Sequence, residues 1–359
     1  MSLKISGLFL FLCAFALVSS KVTKNRKTLQ RAITAGKHFR GVNRSGAEFK
    51  CVQNGFGVFD GPVDNASIAA MKTWNINIVR VPLNEDCWLG IHNHNPAFSG
   101  ANYRRAVIAF VNRLRENNLT VILDLHWTDG LYSGPGQGSC YDEAAKCQKP
   151  MPDKKNSPKF WQWVAKQFMD DEGIIFDLFN EPFPDRAMNS TGTAAWQCWR
   201  NGGDACSGFQ YEVAGMQDLL DAVRGVGARN LVMVGGLAWS NDLSQWMTYV
   251  PTDAANNIAA SWHSYNFNYC NNTACWESEI APIAARYPVI VGETGENDCD
   301  HTYVDELMNW LDSKYISYLG WTWNTWDCFS GPSLIMDYDG SPTAYGIGLK
   351  EHLQKQIKD

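Results

Sequence analysis

Short apolar runs, bounded by glycine, proline or polar residues, recur along most of the chain. Runs of this kind are typical of strands that are buried on both faces of a parallel sheet. The pattern predicts eight strands, at Phe39–Asn43, Ile76–Val81, Thr120–Trp127, Ile174–Glu181, Asn230–Gly235, Ile258–His263, Pro288–Glu293 and Ile316–Trp323.

Between these runs, apolar residues recur at three- and four-residue spacing, which predicts amphipathic helices. The predicted helices lie in 65–72, 103–116, 160–169 and 211–226, with a closing helix inside 344–358. Strands that alternate with helices eight times are the pattern of a (β/α)8 barrel. No linker, composition shift or internal repeat divides it, so we predict an α/β fold with one barrel domain over residues 21–359.

The first twenty residues predict a secretory signal peptide. Lys4 precedes an apolar run from Ile5 to Val18, and two small residues follow it, with Ser20 at the expected cleavage position. The run is shorter than the roughly 18 residues that a membrane-spanning helix needs. We therefore expect a secreted, extracellular protein that has no membrane contact after cleavage.

The cysteines predict disulfides. Eleven are present, and Cys13 lies in the predicted signal peptide, so an even number remains in an exported chain. Three pairs are close enough in sequence to staple single loops, and two could join neighbouring loops: Cys140/Cys147, Cys198/Cys206, Cys270/Cys275, Cys51/Cys87 and Cys299/Cys328. Spacing does not fix connectivity, so this pairing is a hypothesis. A zinc site is the alternative, but no C-x-x-C pair occurs.

Charge and glycosylation patterns narrow the classes of partner. The net charge is −6 and no long basic block is present, which argues against nucleic acid. Asn65, Asn118, Asn189 and Asn271 begin sequons that would carry N-glycans in a eukaryotic host. Asn43 also begins a sequon, but at a predicted strand end, where access would be poor.

Two glutamates, Glu181 and Glu293, lie at the carboxyl ends of predicted strands. In a barrel these ends meet at one face, where catalytic side chains are placed. Cleavage of a glycosidic bond needs two carboxyl groups, one to protonate the leaving oxygen and one to attack the anomeric carbon. We expect Glu181 to be the acid, its neutral form favoured by the nearby second carboxylate, and Glu293 to be the nucleophile, kept ionised by Arg80.

Other polar and aromatic residues at the predicted strand ends could bind substrate. Asn180 can donate to a sugar 2-hydroxyl, Tyr265 can orient Glu293, and His126 and His263 can bind hydroxyls or tune the acid. Trp323 is the expected stacking platform, preferred over Trp321 because it is nearer the exit of the last strand.

A metal site would need further ligands. His92 and His94 form an H-x-H pair, but they fall in a loop where the pattern places no third ligand, so we expect no metal and no cofactor.

These residues together resemble glycoside hydrolase family 5, the cellulase-like members of the retaining barrel clan. The motifs are Asn180-Glu181-Pro182 after an apolar strand, Glu293, Arg80 in Val-Arg-Val-Pro, His126-Trp127 and His263-Ser-Tyr265, spread over about Phe39 to Trp326. The resemblance implies a retaining double displacement, in which Glu181 is both acid and base. It also implies that Trp127 lies among the substrate-binding residues.

The expected function is therefore a secreted endo-β-1,4-glucanase acting on a polysaccharide as a monomer. Mannan, xylan, mixed-linkage glucan or a glycoconjugate remain alternative substrates, because the long loops Gly130–Pro158 and Phe183–Phe209 would decide specificity. A non-catalytic carbohydrate-binding barrel is the alternative of a different class, although it would not need both acids. A metal hydrolase is a third, for which the chain offers no convincing ligand set.

Overall fold

Eight parallel strands close into one barrel, as predicted. The computed structural model describes residues 38–53, 57–136, 141–329 and 331–355, and the compact unit begins at Phe39. The predicted signal peptide lies outside the described residues. The strands pair in chain order, and β1 closes the barrel by pairing with β8. They are β1 Arg40–Asn43, β2 Ile78–Asn84, β3 Thr120–Trp127, β4 Ile174–Asp177, β5 Val232–Gly235, β6 Ile258–Tyr265, β7 Val289–Gly295 and β8 Ser317–Gly320.

The two faces of each strand have different roles in the barrel. In β2, Val79, Val81 and Leu83 belong to the apolar core between the strands and the helices. Because side chains alternate along a strand, Arg80 lies on the other face, in the barrel interior, where it is fully buried. A buried charge is costly unless it is paired, and Arg80 is paired with carboxylates near the carboxyl ends of the strands.

Helices surround the barrel. The α-helices are Asn65–Thr73, Glu85–Leu89, Ala101–Glu116, Ser157–Phe168, Pro184–Ala187, Thr193–Asn201, Met216–Gly225, Trp246–Tyr249, Thr273–Cys275, Ala281–Ala284, Thr302–Ser313 and Ala344–Lys355, with a 3₁₀ turn at Gly203–Ala205 and a π segment at Trp276–Ile280. A small antiparallel pair, Ile335–Asp337 with Ser341–Pro342, follows β8. The elements after β5 and β6 were not predicted, because they are too short or irregular to show a helical period.

Two predicted strands end earlier than expected, and both corrections affect the site. β4 stops at Asp177, four residues before Glu181. Beyond it, the backbone N–H of Leu178 donates to Met233 and that of Asn180 to Leu125, so the extended chain still bonds to both neighbouring strands. β8 stops at Gly320 rather than continuing to Trp323.

Four of the five predicted disulfides are confirmed: Cys51–Cys87, Cys198–Cys206, Cys270–Cys275 and Cys299–Cys328. The fifth prediction includes Cys140, which lies outside the described residues. No helix within the described part of the chain is long and apolar enough to cross a membrane.

Candidate active site

A cleft of about 1210 Å³ lies at the carboxyl end of the barrel. It is large compared with the roughly 300–1,000 Å³ of ordinary small-ligand sites. Among the predicted site residues, it is lined by His126, Asn180, Glu181, Tyr265 and Glu293. The topology therefore brings side chains from β3, β6, β7 and the segment after β4 to one site.

The two predicted catalytic glutamates face each other across this cleft. One carboxylate oxygen of Glu181, one of Glu293 and a ring nitrogen of His263 all lie within 4.8 Å of one another. His263 Nδ1 is 2.9 Å from Glu181 Oε1 and 3.6 Å from Glu293 Oε2. Oxygens this close favour the arrangement of retaining glycosidases, with roughly 5–5.5 Å between carboxyl groups, over that of inverting ones, with roughly 6.5–9.5 Å.

Glu293 accepts strong hydrogen bonds at both oxygens. Arg80 Nη1 donates to Oε1 at 2.7 Å, and the Tyr265 hydroxyl donates to Oε2 at 2.7 Å. Burial, together with the negative charges of Glu293 and Glu181, raises the pKa of Tyr265 well above its usual value. The phenol therefore remains protonated and keeps donating, so Glu293 is held in one orientation by a cation and a neutral donor.

Arg80 lies beneath the cleft and does not line it. Its side chain is fully buried, and beside Glu293 it contacts Asp124 Oδ2 and Asp177 Oδ2, each at 3.0 Å. It also donates to Asn43 Oδ1 and to Asn180 Oδ1. The prediction that Arg80 binds substrate is wrong, because its guanidinium is enclosed by its own partners. Its predicted place beside Glu293 is confirmed.

Among the described residues, none that is cationic lies within hydrogen-bond contact of Glu181. Its Oε1 contacts His263 Nδ1, and its Oε2 accepts from Gln148 Nε2 at 3.1 Å. Burial raises the pKa of Glu181 to about 7, and the Asp124 charge adds to the shift. The protonated form is thus favoured mainly by loss of water and not, as predicted, by the neighbouring Glu293.

The two histidines differ in protonation. Burial lowers the pKa of His263 to about 4, and the Arg80 charge adds to this, so the imidazole is neutral. Burial alone would lower the pKa of His126 as well, but Asp124, 2.6 Å from its Nδ1, raises it. His126 lines the cleft, whereas the fully buried His263 contacts the two glutamates from behind, so its predicted role of binding substrate hydroxyls is not supported.

The predicted stacking tryptophan is wrong. Trp323 is 0% exposed and packs edge-on against Trp74, with ring centroids 4.9 Å apart. After β8 the chain turns towards β1, and the Trp323 backbone N–H donates to the carbonyl of Asn43. This turn places the Trp323 side chain in the apolar core instead of the cleft. Trp321 lines the cleft instead and stacks on His126, with centroids 5.6 Å apart.

Trp127 lies beside the cleft and is not among the residues that line it. Its side chain is half-buried, and its ring lies 6.4 Å from that of Phe49. Phe49 in turn lies 5.7 Å from Trp326, which does line the cleft. Trp127 therefore supports the wall through intervening rings.

Sequence reasoning missed Gln148 and Trp239, which also line the cleft. Trp239 stacks on Phe183 at 4.9 Å and lies in a run of three left-handed non-glycine residues, Ala238 to Ser240. This conformation costs about 1–2 kcal/mol per residue. Bonds to the segment that carries Glu181 hold it, from Trp239 N–H to Pro182 and from Ser240 Oγ to Asn180. No sequence pattern marks such a turn when glycine is absent.

His92 and His94 lie away from the cleft, in a loop as predicted, but with carboxylate partners that the pattern did not place. His92 Nε2 is 3.1 Å from Asp129 Oδ2, and His94 Nε2 is 3.1 Å from Asp86 Oδ2. Atoms of Asp86, His92 and Asp129 lie within 4.8 Å of one another, a spacing that a cation could span. Asp129 Oδ2 already accepts from Asn156, so the group is also satisfied as a hydrogen-bond cluster.

A closed (β/α)8 barrel with two facing carboxylates at its carboxyl end has the architecture and site of a glycoside hydrolase. The match to a family model gives the same class. Residues 42–327 match the model described as cellulase, glycosyl hydrolase family 5, which is most of the chain. The chain belongs to this family, and it is a glycoside hydrolase.

Relatives and solved structures are similar but distant. Cellulase CelDZ1 of a Thermoanaerobacterium species is 24% identical over 72% of this chain and 60% of its own length. Endoglucanase C of Evansella cellulosilytica is 22% identical over 72% of this chain and 31% of its own length, so the chain spans less than two thirds of either relative. The β-glucanase SdGluc5_26A of Saccharophagus degradans superposes with a TM-score of 0.66 at 20% identity, covering 90% of this chain and 89% of that one.

Proposed function

We propose that the protein is a secreted endo-β-1,4-glucanase that works by retaining double displacement. The observation that carries the proposal is the pair of carboxylates, Glu181 and Glu293, with oxygens within 4.8 Å of each other. In the first step Glu293 attacks the anomeric carbon while Glu181 protonates the departing glycosidic oxygen. The bond to the leaving sugar breaks and a glycosyl ester of Glu293 forms.

In the second step the ionised Glu181 takes a proton from water. The resulting hydroxide attacks the same carbon and releases Glu293, so the anomeric configuration is retained. The neutral His263 can donate to or accept from Glu181 Oε1, which suits a carboxyl group that must change its protonation state between steps. Arg80 holds the Oδ1 of Asn180, which leaves the amide nitrogen to donate to a sugar hydroxyl.

Polymer specificity is supported by the aromatic lining of the cleft. Trp239 follows β5, Phe267 follows β6, and Trp321 and Trp326 follow β8, and all line it. Flat aromatic faces stack on the apolar faces of pyranose rings, and their distribution around the carboxylates favours several consecutive sugar units over a single terminal one.

The β-1,4-glucan substrate and the export of the protein rest on further support. The related proteins are named as a cellulase and an endoglucanase, and SdGluc5_26A has been crystallised in complex with cellotetraose. Export is supported by the four disulfides, which are typical of oxidising compartments.

The test is hydrolysis of soluble β-1,4-glucan, mixed-linkage glucan, mannan and xylan by the wild type and Glu293→Ala. With the wild type, we expect the viscosity of a β-1,4-glucan solution to fall before many reducing ends have been released, as cleavage inside the chain requires. We expect no activity in the variant. NMR of the first product formed should show the β-anomer. Preferred cleavage of mannan or xylan would contradict the substrate assignment, and binding without hydrolysis of any polymer would favour the non-catalytic barrel.

A further inference from the structure

Gln148 contacts the proposed acid/base through two hydrogen bonds. Its Nε2 donates to Oε2 of Glu181 at 3.1 Å and to the backbone carbonyl of Glu181 at 3.0 Å. The other oxygen, Oε1, contacts His263 Nδ1. Each oxygen of the Glu181 carboxyl group therefore contacts a neutral nitrogen group. Gln148 is the one of these that comes from a loop outside the barrel strands.

The loop that carries Gln148 is anchored on both sides of it. Upstream, the Ala145 N–H donates to Asp86 Oδ2 at 2.8 Å, and its carbonyl accepts from Asn84 Nδ2 at 2.7 Å. Downstream, the Phe183 N–H donates to the carbonyl of Pro150 at 2.9 Å. These bonds bring the loop alongside the segment that follows Glu181, so Gln148 is held in place and does not reach Glu181 by chance rotation.

We propose that Gln148 is a positioning residue that orients Glu181 and stabilises its carboxylate form, setting the balance between its acid and base roles. The inference rests on the proposed function, in which Glu181 must be protonated in the first step and ionised in the second. An amide N–H stabilises a carboxylate more than it does the neutral acid, so Gln148 opposes the effect of burial. The pKa of Glu181 responds in this way: burial raises it, and the hydrogen bond from Gln148 lowers it.

Other charged and titratable groups face Glu181 and would stay in place when Gln148 is changed: Arg80 on β2, Asp124 and His126 on β3, His263 and Tyr265 on β6, and Glu293 on β7. A change at Gln148 therefore isolates one neutral donor against a constant electrostatic background.

The test is Gln148→Met, which keeps similar length and removes the donor. In hydrolysis of β-1,4-glucan, the alkaline limb of the pH–kcat profile should move upward by roughly half to one pH unit, because the acid form persists longer. With a dinitrophenyl cello-oligosaccharide, whose first step needs no acid, the acidic limb of the second step should also move upward. A loop that was merely anchored would lower rates uniformly and move neither limb.

Two further variants keep the experiment decisive. Lys146→Ala, which removes an exposed lysine paired with Asp142 in the same loop, should leave both limbs at their wild-type positions. If Gln148→Met does not fold, Gln148→Asn withdraws the amide by one methylene and should move the limbs in the same direction. Limbs that stay within about 0.2 pH unit of the wild type, in an active folded variant, would overturn the inference. An inactive wild type would instead contradict the proposed function.

Discussion

Glu181 and Glu293 share one cleft but have different surroundings. Glu293 lies on strand β7, its side chain is 5% exposed, and it accepts from a guanidinium and a phenol. Glu181 lies four residues beyond β4, its side chain is 16% exposed, and it contacts an amide and a neutral imidazole. The difference fits the two proposed roles, because burial favours the protonated form of Glu181, whereas a guanidinium and a phenol hold Glu293 in one orientation.

The largest effect is expected from Glu293→Ala, because the variant has no group that can form the glycosyl ester. We expect kcat on β-1,4-glucan to fall on the order of 10⁴-fold or more. Glu116→Ala, which removes an exposed glutamate just before β3 at the opposite end of the barrel, should leave the rate unchanged. A fall in kcat of less than tenfold in Glu293→Ala would show that Glu293 is not the nucleophile.

Glu181→Ala should have a smaller effect that depends on the leaving group. On polymer the loss of the proton donor should cost roughly 10²–10⁴-fold in kcat. With a dinitrophenyl cello-oligosaccharide the first step should stay near the wild-type rate, and the glycosyl-enzyme should accumulate and be visible as a burst of dinitrophenol. Equal losses on both substrates would show that Glu181 does not act as the proton donor.

The difference in surroundings also predicts a pH profile. Burial raises the pKa of Glu181 from its ordinary value to about 7, so the acid form survives up to near neutral pH and is lost above it. Hydrolysis of polymer should therefore fall up to tenfold per pH unit above about 7. The burst rate with the dinitrophenyl substrate should lack this alkaline limb. An alkaline limb near pH 5 would mean that Glu181 behaves as an exposed carboxyl group.

The barrel and the carboxylate pair could be predicted from sequence because both depend on local patterns. An apolar run followed by Asn180 and Glu181 identifies a strand exit, and parallel strands bring their exits together. The same logic placed Arg80 beside Glu293 but could not show that the guanidinium would be enclosed. Its burial depends on Asp124, Asp177 and Asn43, which arrive from three other strands.

The remainder of the site lies on loop segments, whose sequences show no hydrophobic periodicity from which a structure could be predicted. Gln148 lies 33 residues before Glu181 in a long loop, and only the path of that loop brings the two together. Trp321 and Trp323 are two residues apart, so strand alternation would place both rings on one face and does not distinguish them. Because β8 ends at Gly320 and the chain then turns, only Trp321 of the two lines the cleft. Both failures occur where tertiary contacts, not local propensity, set the backbone.

The smallest effect is expected from Tyr265→Phe, which removes one of the two donors to Glu293 and leaves Arg80 in place. Loss of a hydrogen bond of about 1–2 kcal/mol to a charged group corresponds to a fall of roughly 10-fold in kcat. The matched control is Tyr345→Phe, which removes a buried hydroxyl bonded to the carbonyl of Thr294, next to Glu293, without touching a carboxylate. If both variants lose activity equally, the effect is one of packing. A loss confined to Tyr265→Phe would show that the orientation of Glu293 depends on its neutral donor as well as on the cation.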